Sequence, residues 1–165
     1  MTLQGLGYSA ALVLALMFAV AALAKLRDRD GTAAAFFALG VPNPERAARF
    51  LPLPELAAVV LLLTVPFAGA IVVLALLALF TTFMVGRLRA GLVAPCACFG
   101  ATTSQPISWV SVCRNLLMGA LAVLALGATR PVVPTIGEVT AVAGATLVGT
   151  LVLRLLDRAR IRART

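Results

Sequence analysis

The sequence predicts an all-α fold: a polytopic bundle of membrane-spanning helices with almost no soluble domain. Two observations predict it. Of the 165 residues, 62% are hydrophobic and 12% charged, with a mean hydropathy of +1.06, whereas soluble domains carry about 25% charge. The apolar residues also come in runs long enough to cross a bilayer, which takes about 20 helical residues. Such a composition has no polar surface with which to enclose a water-soluble core.

The first run, 7–24, ends at Lys25. Its charges follow it rather than precede it, the reverse of a secretory signal peptide, so it reads as a permanent helix. The stretch 51–86 is uncharged from 56 onward and too long for one ordinary span. Val65-Pro66-Phe67-Ala68-Gly69 divides it, because proline breaks the helical ladder and glycine permits a tight turn. A hairpin of two helices, 51–65 and 68–86, is expected, with a single kinked helix as the alternative. A fourth run covers 107–128 and is interrupted by Arg114 and Asn115. A fifth covers 136–156, with Glu138 and Arg154 near its ends. The segment 28–50 reads as a short amphipathic helix lying at the interface, then a turn at Gly40-Val41-Pro42-Asn43-Pro44.

Charge sets the topology. Basic residues cluster between the first two runs (Lys25, Arg27, Arg29, Arg46, Arg49), after the third (Arg87, Arg89) and in the tail from Arg154 to Arg164. Five spans put all three clusters on one side, and four cannot. The positive-inside rule then predicts a multi-pass protein of the cell membrane with its amino terminus outside and its carboxyl terminus in the cytoplasm. The net charge of +8 reflects topology and contact with a lipid bilayer, not nucleic acid. The basic residues are dispersed and lack aromatic partners. Trp109 and Tyr8 read as interfacial anchors.

The chain has no histidine, which removes histidine-assisted hydrolysis, histidine-ligated haem and zinc-protease chemistry. Sulfur and a few intramembrane charges remain. Cys96 and Cys98 form a Cys-x-Cys pair in Pro95-Cys96-Ala97-Cys98-Phe99-Gly100. Thiols this close can form a small strained ring, and strained disulfides tend to be labile or catalytic. Two buried packing residues and part of a soft-metal site are the other readings. One loop offers too few ligands for a metal, so none is assigned. Cys113 is either a relay thiol or a small packing residue. Arg114 and Asn115 are costly inside a span and call for partners. With five spans, Lys25, Glu55, Arg114 and the Cys-x-Cys loop share one end of the bundle. Glu55 with Arg114 is the expected ion pair, acting as a structural tie or as a cation that stabilises a thiolate.

In order along the chain come Ala24-Lys25, Leu39-Gly40-Val41-Pro42, Leu53-Pro54-Glu55-Leu56, Cys96-Ala97-Cys98-Phe99-Gly100, Ile107-Ser108-Trp109 and Arg114-Asn115-Leu116-Leu117. These resemble the MauE family of membrane proteins, within the wider DoxX-like group, over roughly two thirds of the chain. Glycine is more usual between the cysteines than Ala97. The resemblance implies a four-helix MauE/DoxX-like domain over 1–128; the fifth transmembrane helix and basic tail, 129–165, lie outside it.

The resemblance further implies a redox-associated membrane protein; the founding member of the family is tied to methylamine utilisation, where it supports maturation of a disulfide-rich partner beside a thioredoxin-like protein, and relatives occur outside that pathway. Carried onto these residues, Cys96 and Cys98 are the active thiols, Cys113 a relay, and Arg114, Asn115, Glu55 and Lys25 their structural or electrostatic support. Thiols on the cytoplasmic side must then communicate across the bundle, through Cys113 or a quinone; the alternative is an inverted topology. No other cofactor is indicated, and the oligomeric state is not specified. The rival reading is a non-enzymatic assembly or stabilising subunit with structural cysteines. A small-solute carrier is disfavoured by the lack of repeat symmetry.

Overall fold

The computed structural model of the chain describes residues 2–92 and 107–162. Among these the elements are α1 (Leu3–Arg27), α2 (Arg29–Ala38), α3 (Pro44–Phe50), α4 (Pro52–Thr64), α5 (Pro66–Arg89), α6 (Trp109–Ala125) and α7 (Ile136–Arg162), with no strand. Their boundaries follow from local chemistry. Pro44, Pro52 and Pro66 each open a helix, where the missing N–H is no loss and the fixed φ suits the first turn. The break at Pro66 settles the long apolar stretch as a hairpin of two helices. Asp28 separates α1 from α2 and caps the second by accepting a hydrogen bond from the Gly31 N–H at 2.9 Å.

The region 28–50 holds two helices rather than one. After α2, Gly40 takes φ +70° and Asn43 φ +51°, both left-handed, and the chain reverses. The Gly40 N–H donates to the Phe37 carbonyl and the Val41 N–H to the Phe36 carbonyl, each at 2.9 Å, which closes α2 in a Schellman motif. Arg87 holds the turn against α5. Its guanidinium donates to the Gly40 carbonyl at 3.0 Å and lies 4.9 Å over the Phe83 ring.

Among the described residues four segments are long and apolar enough to cross a membrane: Leu3–Arg27, Pro44–Thr64, Pro66–Arg89 and Ile136–Leu153. At 17 residues, α6 is shorter but runs the height of the bundle. Its far end lies against Gly7, near the start of α1, and its near end bonds to Thr81, late in α5. A four-helix core of α1, α4, α5 and α6 therefore carries α7 as a fifth helix packed on α1 and α6.

Central to the bundle is α1, whose buried face is Gly5, Gly7, Ser9, Ala10, Ala11, Leu14, Ala15, Phe18, Ala21 and Ala22. Lipid tails are as apolar as leucine, so helices associate there through close packing of small residues. The outer faces carry exposed Leu16 and Val20 on α1, Leu79 on α5, Leu116 on α6 and Leu147 and Leu151 on α7. Patches of this extent would drive aggregation in water and are solvated in hydrocarbon.

Alternating helix directions give the bundle two unlike ends. Lys25, Arg27, Arg29, Arg46, Arg49, Arg87 and Arg89 share one end, where α7 also finishes. The other holds the start of α1, the α4–α5 turn and the α6–α7 connection with Arg130. Tyr8 and Trp109 lie toward opposite ends. The Tyr8 hydroxyl donates to the Leu63 carbonyl at 3.4 Å, and the Trp109 side chain is exposed.

Candidate functional site

At the basic end a buried ion pair joins α1 to α4. Lys25 closes α1 on the same face as Ala21 and Ala22, whose small side chains leave room for its stem. Glu55 lies in the first turn of α4, set by Pro52. The ammonium donates to both carboxylate oxygens, at 2.8 and 3.0 Å, and reaches the Ala21 carbonyl at 3.5 Å. Lys25 is 1% and Glu55 2% exposed. Each charge also suits its own helix end, since a cation favours the carboxyl-terminal turn and a carboxylate the amino-terminal one. The partner of Glu55 is therefore Lys25, not Arg114. The first helix packs along the fourth and brings its last turn onto Glu55, whereas Arg114 sits half-buried on α6.

Asn115 is buried on α6, and its amide donates to the Thr81 hydroxyl at 3.3 Å, tying α6 to α5. Cys113 is an exposed free thiol, two residues away on a different face of the helix. It is thus not a core packing residue. The faces of α6 turned inward carry Val112, Asn115, Met118, Leu121 and Ala122. Cys96 and Cys98 lie outside the described residues. The chain leads toward them from Gly91 and Leu92 and returns at Ile107, both at the basic end. Gly91, at φ +72°, closes α5 with a second Schellman motif. Ile107 is buried with Phe36, Leu39, Ala48, Met84 and Val112, in a small core where α2 and α3 cap the bundle.

A second buried carboxylate, at the opposite end, has a different task. Thr135 and Glu138 form a capping box at the start of α7: the Glu138 N–H donates to the Thr135 hydroxyl at 3.3 Å, and the Thr135 N–H to Glu138 Oε2 at 3.0 Å. The other oxygen, Oε1, accepts from the Thr2 N–H at 2.8 Å. One carboxylate thereby serves the positive ends of two helices. A Cβ at Gly5 would collide with it. The Thr-x-x-Glu spacing is the sequence signal for this role, and the reading of Glu138 as merely a charge near a span end misses it. Among the described residues no cluster of His, Cys, Asp and Glu suits a metal ion.

The family model described as methylamine utilisation protein MauE matches residues 3–128. This chain belongs to the MauE family. A methylamine utilization protein MauE from Paracoccus denitrificans is 37% identical over 142 residues, covering 81% of this chain and 76% of that protein. No solved structure matches. Within the MauE match lie helices α1 to α6, with the Lys25–Glu55 pair, Asn115, Cys113 and both anchored ends of the Cys-x-Cys segment. Helix α7, with Glu138, lies beyond it.

Proposed function

We propose that this MauE protein supports thiol–disulfide chemistry in the membrane, through Cys96 and Cys98, during maturation of a disulfide-bearing partner in methylamine utilisation. The thiolate of one cysteine attacks a partner disulfide, forms a mixed disulfide and expels a partner thiolate. The second cysteine attacks that mixed disulfide, releases the partner as a dithiol and leaves Cys96–Cys98 oxidised. Two electrons thus pass from the loop to the partner, and the same steps reversed oxidise the partner. A thioredoxin-like protein fits this role, and a quinone is a suitable acceptor in the reverse direction. The process is carried over from the name of the Paracoccus relative.

The observation that supports this reading is the convergence at the basic end. The ends of α5 and α6 that lead into the cysteine segment are fixed there, at the same end of the bundle as the buried Lys25–Glu55 pair and Arg114. The basic residues gathered at that end would favour thiolate over thiol, and the thiolate is the reactive form. With the basic end in the cytoplasm, the amino terminus lies outside. Cys113, exposed on the outer face of α6, is available to a membrane-borne partner.

The deciding experiment is reconstitution of the full chain with a disulfide-bonded thioredoxin-like substrate, comparing wild type with Cys96→Ser and Cys98→Ser. Each single substitution is expected to abolish exchange. If both variants keep full exchange while membrane levels depend on Lys25 and Glu55, the chain is an assembly subunit with structural cysteines.

A further inference from the structure

The faces of α2 and α3 that meet beside the bundle enclose an open groove of about 540 Å³. Its walls include apolar Ala34 and Phe37 and four charged residues: Arg29 and Asp30 from α2, Glu45 and Arg49 from α3. Two cations and two carboxylates thus line one small space. Among the described residues, none of the four takes part in an ion pair. A ligand that brings an anionic and a cationic group close together would satisfy both sets.

The position of the groove says which ligand. It lies at the basic end of the bundle, where α1 ends and α4 begins. Leu51 keeps helical dihedrals (φ −59°, ψ −34°) between α3 and α4, so Glu45, Arg49, Leu53 and Val60 follow one another along a single helical face. Leu53 and Val60 are exposed. The charged groove therefore runs directly into an apolar track.

From this geometry we propose that the α2–α3 groove binds a zwitterionic phospholipid with a primary ammonium headgroup, of the phosphatidylethanolamine type. Arg29 and Arg49 hold the phosphate, since planar guanidinium groups suit phosphate oxygens. Asp30 and Glu45 accept hydrogen bonds from the ammonium, and an acyl chain lies along Leu53 and Val60. A quaternary ammonium lipid keeps the same charges but has no N–H to donate. A glycerol headgroup supplies no cation for the carboxylates. The proposal is independent of the cysteine chemistry.

The test is native mass spectrometry of the full-length protein titrated with phosphatidylethanolamine, phosphatidylcholine and phosphatidylglycerol of matched acyl chains. Phosphatidylethanolamine is expected to bind roughly tenfold tighter than either of the others. Arg29→Ala with Arg49→Ala should weaken it by about the same factor. Asp30→Asn with Glu45→Gln should erase the preference over phosphatidylcholine. Equal affinity for the three lipids, or wild-type phosphatidylethanolamine binding in both double variants, would overturn the assignment.

Discussion

A buried charge is stable only with its partner, and the Lys25–Glu55 pair shows what that implies for substitution. Removing one member leaves the other buried without its counter-charge, at a cost of about 3–5 kcal/mol in soluble proteins. Replacing both with apolar residues of similar volume is often neutral. Lys25→Met alone and Glu55→Met alone are therefore expected to lower thermal stability in detergent sharply. The double variant should recover most of the loss, and a double-mutant cycle on melting temperature reads the coupling. That both residues belong to one end of the bundle is legible in the sequence, since the spans fix their heights. Their pairing is not legible. Lys25 and Arg114 stand at the same level, and which cation reaches Glu55 depends on how closely α1 approaches α4. The alanines and glycines along α1 set that distance, and span assignment does not resolve it.

At the scale of elements, prolines and glycines carry the most readable information, with one misreading. Pro66 divides the 51–86 stretch as expected, yet it opens α5 itself, two residues ahead of the expected start. Pro44 likewise begins α3 rather than only ending a turn, which is why the sequence pattern suggests one interfacial helix where there are two. Both follow from proline being excluded from helix interiors but favoured at the first position. Gly69 gives this hairpin a sharp test. A Cβ there would run into the Leu62 backbone, which cannot move aside as a side-chain tip can, whereas Gly86 and Gly119 have nothing within 4 Å. Gly69→Ala is expected to cost about 1–3 kcal/mol by overpacking. Gly119→Ala should be neutral or stabilising by up to about 1 kcal/mol through helix propensity. Comparing the two variants by thermal unfolding in one detergent separates close packing from propensity.

For the whole molecule, the five-span bundle is readable from hydropathy and charge because the bilayer dictates both: length from hydrocarbon thickness, sidedness from basic loops. The basic residues from Lys25 to Arg114 indeed gather at one end, with Arg130 at the other, and the first of these ends also receives both flanks of the cysteine segment. Orientation follows as a prediction. A cysteine introduced at exposed Thr129 should react with an impermeant maleimide on intact cells, and one at exposed Ala90 only after permeabilisation. The reverse pattern would put the basic end outside and the cysteine segment with it. Thiol trapping reads whether Cys96 and Cys98 cycle between dithiol and disulfide. Cells are quenched in acid, and free thiols are alkylated with a mass tag before and after reduction, in wild type and in Cys96→Ser, Cys98→Ser and Cys113→Ser. A wild-type fraction is expected in which both thiols gain the tag only after reduction, absent from the Cys96→Ser and Cys98→Ser variants and retained in Cys113→Ser. Identical tagging before and after reduction, under oxidising and reducing growth alike, would contradict it.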